Sequence, residues 1–219
     1  MKPHLSKVRR DAFTLIELIT VVTIIALLFS LVVGGFTFAD RFSKRSKTEV
    51  TIKAVRSGLE RYQEDFGGYP APLNVDSTIE IAKKIYIVGG AACLYQAMSG
   101  DGFDQIEGAT GMGTPESDGN LDDYEAKNVK LTDMPNELWA KTEGTYYIID
   151  GFGHPIRYIK SAPTQSTTPG GPPPEATTIN IGTYDIWSYA EDEDNLTATS
   201  LQSRDGSVRT ASLKWYKNW

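Results

Sequence analysis

Four carboxylates and one carboxamide stand together near the carboxyl end of the chain, at residues 191–195. Hard cations, above all calcium, take six to eight oxygen ligands, which a carboxylate-rich loop can supply when its backbone folds back on itself. Asp192 is the leading candidate ligand, with Asp194 and Asp205 behind it. A solvated acidic loop that binds no metal is the alternative interpretation.

Residues suited to catalysis are scarce. His4 and His154 are the only histidines, and Cys93 is the only cysteine, which excludes an internal disulfide and a zinc site of the usual Cys/His kind. A Ser/His/Asp or Cys/His site would have to use His154, whose neighbours Gly153 and Pro155 are typical of a turn. We therefore expect no enzyme activity, and no cofactor apart from the calcium considered above.

The composition is that of a folded protein. Of 219 residues, 40% are apolar and 23% are charged, and the formal net charge is −6. This acidic balance argues against nucleic acid as the main partner, because phosphate backbones attract basic surfaces.

One segment near the start of the chain is far more apolar than the rest. Residues 18–39 contain no charged side chain. As a helix they would measure about 33 Å, which is enough to cross a hydrocarbon layer of about 30 Å. A secretory signal peptide is the alternative, but its apolar core is shorter. Basic residues exceed acidic ones equally on both sides of the segment, so the charge bias does not set its orientation.

Glu17 is an acid at the edge of this apolar segment. A carboxylate there needs a partner, because an ionised group at the centre of a membrane span costs about 2.5–3.5 kcal/mol and somewhat less near its end. If the chain were cut before Phe13, the new amino group would lie four residues upstream of Glu17. The ammonium and the carboxylate could then neutralise each other, within one subunit or between neighbours.

The sequence RRDAFTLIEL at residues 9–18 resembles the processing site of type IV pilins and type II secretion pseudopilins. The resemblance implies that prepilin peptidase removes the leader, residues 1–12, by cutting between Ala12 and Phe13. It also implies that Phe13 is N-methylated and that Glu17 guides subunit docking. Ala12 stands where this family usually has glycine.

An amphipathic pattern follows the apolar segment. Val55, Leu59, Tyr62 and Phe66 recur at spacings of three and four residues, which predicts a helix with one buried face. Gly67 begins a glycine pair that predicts the end of this helix. A helix from residue 13 to residue 66 would be about 81 Å long.

The predicted organisation after the leader has three parts, and the third part contains two loops. The three parts are a transmembrane half-helix at residues 13–39, an amphipathic half-helix at 40–68, and a globular head at 69–219 with an acidic insertion at 99–128 and a Pro-rich loop at 161–178.

Within the head, the apolar spacing predicts two short helices between residues 77 and 98, broken at Gly89 and Gly90, with Cys93 as a small core residue. Residues 145–149 and 156–159 read as the two strands of a hairpin, and residues 183–189 as a third strand.

Two further stretches extend the resemblance. LERYQEDFGGYP at residues 59–70 is similar to the helix exit of major pseudopilins, and SYAED at 188–192 is similar to the start of their calcium loop, although Glu193 replaces the usual glycine. The resemblance implies a pilin-like α+β fold, with a long N-terminal helix on a small antiparallel β-sheet head.

The implied function is that of a structural subunit of a type II secretion pseudopilus, which drives protein export. A type IV pilus subunit for adhesion, motility or DNA uptake is the alternative, and a membrane-tethered enzyme or sensor is a third. The expected partners are other copies of the chain, other pseudopilins, prepilin peptidase, an inner-membrane assembly platform and the membrane, but not nucleic acid. The expected location is the bacterial inner membrane, with a cytoplasmic N-terminus and a periplasmic head, before assembly into a periplasmic or surface filament.

Overall fold

The computed structural model describes residues 14–99, 105–107, 135–163 and 175–219. Their regular elements are, in chain order, α1 (Leu15–Phe66), β1 (Thr78–Ile81), β2 (Lys84–Ile87), α2 (Gly89–Ser99), β3 (Trp139–Thr142), β4 (Thr145–Ile148), β5 (Arg157–Lys160), β6 (Tyr184–Ser188), α3 (Gly206–Ala211) and β7 (Tyr216–Lys217). Short 3₁₀ helices precede β3 and flank α3.

Helix α1 is continuous for 52 residues. The glycines at 34 and 35 do not interrupt it. Its end confirms the glycine stop, because Gly67 adopts a φ of 75° and its N–H donates to the carbonyl of Gln63 at 2.8 Å. This left-handed cap satisfies a carbonyl that the helix would otherwise leave open.

A hairpin replaces the first of the two helices expected between residues 77 and 98, so that prediction was wrong. Strands β1 and β2 pair antiparallel, with Ile79 opposite Tyr86. The two residues that join them, Ala82 and Lys83, both have positive φ, as tight hairpin turns require. Ile79 and Tyr86 are seven residues apart, a spacing that places two residues opposite each other across such a hairpin turn. The same spacing also corresponds to two turns of a helix, which explains why the pattern resembled a helix.

The second of those helices is confirmed as α2, which is buried along ten of its eleven residues. Its start lies against β5, since a Cβ on Gly90 would overlap the main-chain carbonyl of Tyr158. A glycine is therefore required where the helix crosses the strand. Cys93 is fully buried, as expected of a small core residue.

The hairpin expected from residues 145–149 and 156–159 was wrong in its pairing. β4 pairs with β3, which the sequence pattern missed, whereas β5 pairs with β6. Only an isolated bridge between Ile149 and Pro155 and one bond from the N–H of Ile156 to the carbonyl of Ile148 join the two segments. The third strand was predicted correctly as β6.

The core of the head lies on both faces of these strands. On β6, Ile186 packs with α1 and α2, while its neighbour Trp187 packs in a second cluster with Tyr147 and Ala92. Successive side chains of a strand point to opposite faces, so β6 carries a core on each side. All five of its residues are buried.

The chain divides into two compact units, residues 1–42 and residues 43–219. In the described part of the first unit, the only regular element is the start of α1. The second unit holds the rest of α1 together with three small antiparallel sheets among its described residues. This is an α+β arrangement.

Candidate functional site

The first turn of α1 is closed by a reciprocal pair of side chains. The main-chain N–H and the hydroxyl of Thr14 both donate to Oε2 of Glu17, at 2.9 and 2.8 Å. In return, the N–H of Glu17 approaches Oγ1 of Thr14 at 3.3 Å. This is a capping box, in which the threonine and the glutamate satisfy N–H groups that the helix start leaves open.

Thr14 is a residue that the sequence reasoning missed. The signal was present, because threonine three residues before glutamate and ahead of an apolar run is the sequence pattern of a capping box. The predicted cleavage residues Ala12 and Phe13 lie outside the described part of the chain.

The apolar half of α1 is exposed on all sides. Every described residue from 14 to 42 is exposed, and large side chains such as Leu15 and Phe36 expose 75% and 76% of their surface. The helix is long and apolar enough to span a membrane. A helix that is apolar all round is stable only when lipid or other protein covers it.

Hydroxyl groups within this apolar segment are satisfied by the helix itself. Between residues 18 and 39, each hydroxyl donates to a main-chain carbonyl three or four residues earlier, at 2.8 or 2.9 Å. The donors are Thr20, Thr23, Ser30 and Thr37. Such back-bonding removes the need for water, which a hydrocarbon layer does not provide.

A tight turn at residues 150–155 lies against α1 in the second unit. The buried carboxylate of Asp150 accepts hydrogen bonds from the N–H groups of Phe152 and His154 at 2.8 and 2.9 Å. It also accepts one from the hydroxyl of Ser188 at 2.5 Å. Burial raises the pKa of Asp150, although these donors favour its ionised form.

The backbone of the same turn contacts α1 directly. The N–H of Gly151 donates to Oγ1 of Thr48 at 3.0 Å, and a Cβ at this position would overlap the carbonyl of Lys44. Glycine is therefore required for the approach. This contact joins α1 to the loop between β4 and β5.

His154, the histidine considered for catalysis, contributes mainly to this turn. Its ring lies 5.3 Å from the ring of Tyr86, measured between centroids. The hydroxyl of Ser188 donates to Asp150. The main-chain N–H of His154 holds the turn, which agrees with the expected structural context of Gly153 and Pro155.

The acidic loop, residues 191–194, is held by contacts from three other parts of the second unit. Asp192 accepts a hydrogen bond from the indole N–H of Trp215 at 2.8 Å and from the amide of Asn195 at 2.9 and 3.0 Å. Glu191 pairs with Arg45 of α1 at 2.9 Å, and Glu193 pairs with Lys84 at the turn between β1 and β2. Lys84 lowers the pKa of Glu193, and Glu193 in turn raises the pKa of Lys84. Glu191 likewise raises the pKa of Arg45.

The three candidate calcium ligands do not come together. The main-chain N–H of Asp194 donates to Oδ1 of Asp192 at 3.1 Å. Asp205 stands before α3, where its main chain bonds to Gln202 and Arg209. Across the residues that the structure describes, no three His, Cys, Asp or Glu side chains form a group that could hold a metal ion. This arrangement does not fit calcium, whose binding stays a prediction.

Comparisons with family models, with curated proteins and with solved structures find no match to this chain. The features of the chain that bear on its function are therefore the first turn of α1, the exposed apolar helix and the head that follows it.

Proposed function

We propose that this chain is a structural subunit of a type II secretion pseudopilus, a filament whose growth drives folded proteins outward. The observation that carries the proposal is the exposed apolar first part of α1, up to residue 39, in which the one acid, Glu17, lies in the first turn of the helix. Subunits would assemble by packing these helices together. Their role in export is mechanical rather than catalytic.

Glu17 supports this proposal because, among the described residues, hydrogen bonds reach only one oxygen of its carboxylate. All three hydrogen bonds of the capping box involve Thr14, and the two that reach the carboxylate end on Oε2. Oε1 accepts no hydrogen bond from a described residue. An amino group on a neighbouring copy could donate to it, which would offset the cost of a carboxylate in an apolar environment.

Cleavage between Ala12 and Phe13 would supply that amino group. In the proposed sequence of events, prepilin peptidase removes residues 1–12 and Phe13 is methylated while the helix spans the bacterial inner membrane. An assembly platform then adds the subunit to the filament, alone or with other pseudopilins. The leader side is cytoplasmic and the head is periplasmic.

Mass spectrometry of the mature protein tests the processing step. The expected product begins at Phe13 and carries one methyl group on its amino terminus. An intact leader on protein recovered from the membrane would favour a tethered protein and contradict the proposal.

Substitutions in the capping box separate docking from helix capping. Glu17→Gln keeps a side chain that can complete the box but removes the charge, whereas Thr14→Ala keeps the charge and removes the cap. We expect Glu17→Gln to abolish most filament incorporation at normal membrane insertion, because the charge is what pairs with the amino group. Thr14→Ala should have a smaller effect, and Thr14→Ser, which retains the hydroxyl, should behave as wild type.

Incorporation is measured as the fraction of subunit in sheared filaments against the membrane fraction. Equal losses for Glu17→Gln and Thr14→Ala would show that the pair matters only for helix capping. A deletion strain then distinguishes the filament types, since loss of protein secretion supports a pseudopilus. Loss of twitching or DNA uptake with intact secretion would assign the chain to a type IV pilus instead.

A further inference from the structure

The acidic loop is the feature of the head that the proposed assembly through α1 does not use. Its two glutamates reach cations on separate elements: Glu191 pairs with Arg45 at 2.9 Å, and Glu193 pairs with Lys84. These partners lie 146 and 109 residues away in the sequence. The loop thus connects α1 with the turn between β1 and β2.

The aspartate between these glutamates points the other way, to the C-terminal segment. Oδ2 of Asp192 accepts the indole N–H of Trp215 at 2.8 Å, and Oδ1 accepts the main-chain N–H of Asp194 at 3.1 Å. The amide of Asn195 donates to both oxygens. Trp215 is 5% exposed, and its ring meets that of Tyr189 edge-on at 4.9 Å.

These contacts already neutralise and order the carboxylates of the loop, as a bound cation would. A divalent cation would stabilise the loop by neutralising its carboxylates and by ordering their oxygens. Here Arg45 and Lys84 provide positive charge, and both oxygens of Asp192 are occupied by N–H donors. Calcium would have to displace the indole of Trp215 to gain Asp192 as a full ligand, and this would expose a buried hydrogen-bond donor.

We propose that the acidic loop is a metal-independent clasp, in which Glu191 and Glu193 hold α1 and the β1–β2 turn while Asp192 holds Trp215. The clasp orders the C-terminal segment, which provides β7 as the third strand beside β6. This proposal concerns the second unit alone and does not depend on filament assembly.

The indole N–H resonance of Trp215 reports directly on the clasp. The full chain is labelled with ¹⁵N in detergent micelles, and the resonance is assigned by its loss in Trp215→Phe. We expect its position to be the same in excess EDTA and in millimolar CaCl₂, and the midpoint of thermal unfolding to be unchanged. A saturable shift of this resonance with calcium, or a calcium-dependent rise in the midpoint, would overturn the proposal.

Variants of the clasp test its separate contacts. Asp192→Ala should accelerate hydrogen exchange of the Trp215 indole by about tenfold or more, as expected for a lost hydrogen bond to a charged group. Asp192→Asn keeps one acceptor oxygen and should show an intermediate rate, which guards against a folding defect in the alanine variant. An unchanged rate in both variants would show that the aspartate does not hold the tryptophan.

Charge reversal tests the connection to the β1–β2 turn. Lys84→Glu should accelerate the indole exchange, and combination with Glu193→Lys should restore it, because the pair is rebuilt with opposite polarity. Lys53→Glu is the matched control, since it breaks an ion pair with Glu49 that lies within α1. Failure of the double variant to restore the rate, or an equal effect of the control, would contradict the clasp.

Discussion

The two parts of α1 place apolar side chains in opposite environments. In the first unit, Phe36 exposes 76% of its surface and Leu28 exposes 58%, whereas in the second unit Leu59 is fully buried. The helical backbone is continuous through both parts. Helix formation alone therefore does not decide where apolar residues go, since the buried part has a head to cover it and the exposed part requires lipid or another chain.

Threonines show the same contrast on a smaller scale. Thr23 and Thr48 both donate to the carbonyl four residues earlier, at 2.8 and 2.9 Å. Thr48 also accepts a hydrogen bond from Gly151 and is fully buried. A hydroxyl that serves only its own helix in the first unit thus becomes a contact between elements in the second.

Alkaline pH should produce the largest difference between the two units. Burial raises the pKa of Tyr184 and Tyr189 from 10.0 to about 12. Between these values the unfolded chain has released protons that the folded head still holds. The free energy of unfolding therefore falls as pH rises through this window, and the contribution is fully present below pH 10.

The two units can be followed separately in this titration. All four tryptophans lie in the second unit, and residues 1–42 contain no tyrosine. In detergent, tryptophan fluorescence should report unfolding of the head above pH 10, while circular dichroism retains the helix of the apolar segment. Simultaneous loss of both signals would show that the two units unfold together, and Tyr184→Phe should reduce the pH dependence.

Matched leucine substitutions should give the next largest effect. Leu59→Ala removes a fully buried side chain and should lower the free energy of unfolding of the head by about 2–5 kcal/mol. Leu28→Ala, in the exposed part of α1, should leave it unchanged. The measurement is urea unfolding in detergent followed by tryptophan fluorescence, and similar losses for the two variants would remove the distinction between the regions.

Matched threonine substitutions should give the smallest effect. Thr48→Val keeps the shape of the side chain but leaves the N–H of Gly151 without its acceptor, at a cost of about 1–3 kcal/mol. Thr23→Val loses only a bond within its own helix and should not alter the stability of the head. The same urea titration compares the two variants. An unchanged free energy of unfolding in Thr48→Val would mean that water replaces the hydroxyl as the acceptor.

Local patterns predicted the elements whose apolar period was long or whose ends were marked. Three of the four residues predicted for the buried face of α1, Val55, Leu59 and Tyr62, are buried, whereas Phe66 in the last turn is exposed. The end of the helix at Gly67 follows from the glycine that can adopt a positive φ. Glu17 could be identified because an acid is conspicuous beside an uncharged run. Thr14 carried an equally local signal that the reasoning overlooked.

Short elements were harder to predict because two structures share the same spacing. The Ile79 to Tyr86 segment fits both a helix and a hairpin, and its turn uses Ala82 and Lys83, which are not typical turn residues. The pairing of β4 with β3 rather than β5 was also hidden. That pairing depends on the turn around Asp150, whose position is set by contacts with α1 and β6.

The sequence alone determined a long helix with an uncharged first half, an acid at its start and an amphipathic second half, because these properties depend on residues within a few turns of one another. The tertiary structure decided what the acidic loop contacts. Asp192 meets Trp215 from 23 residues away, and Glu191 meets Arg45 from 146 residues away. Contacts at such distances depend on how the whole head folds, so no local pattern could have specified them.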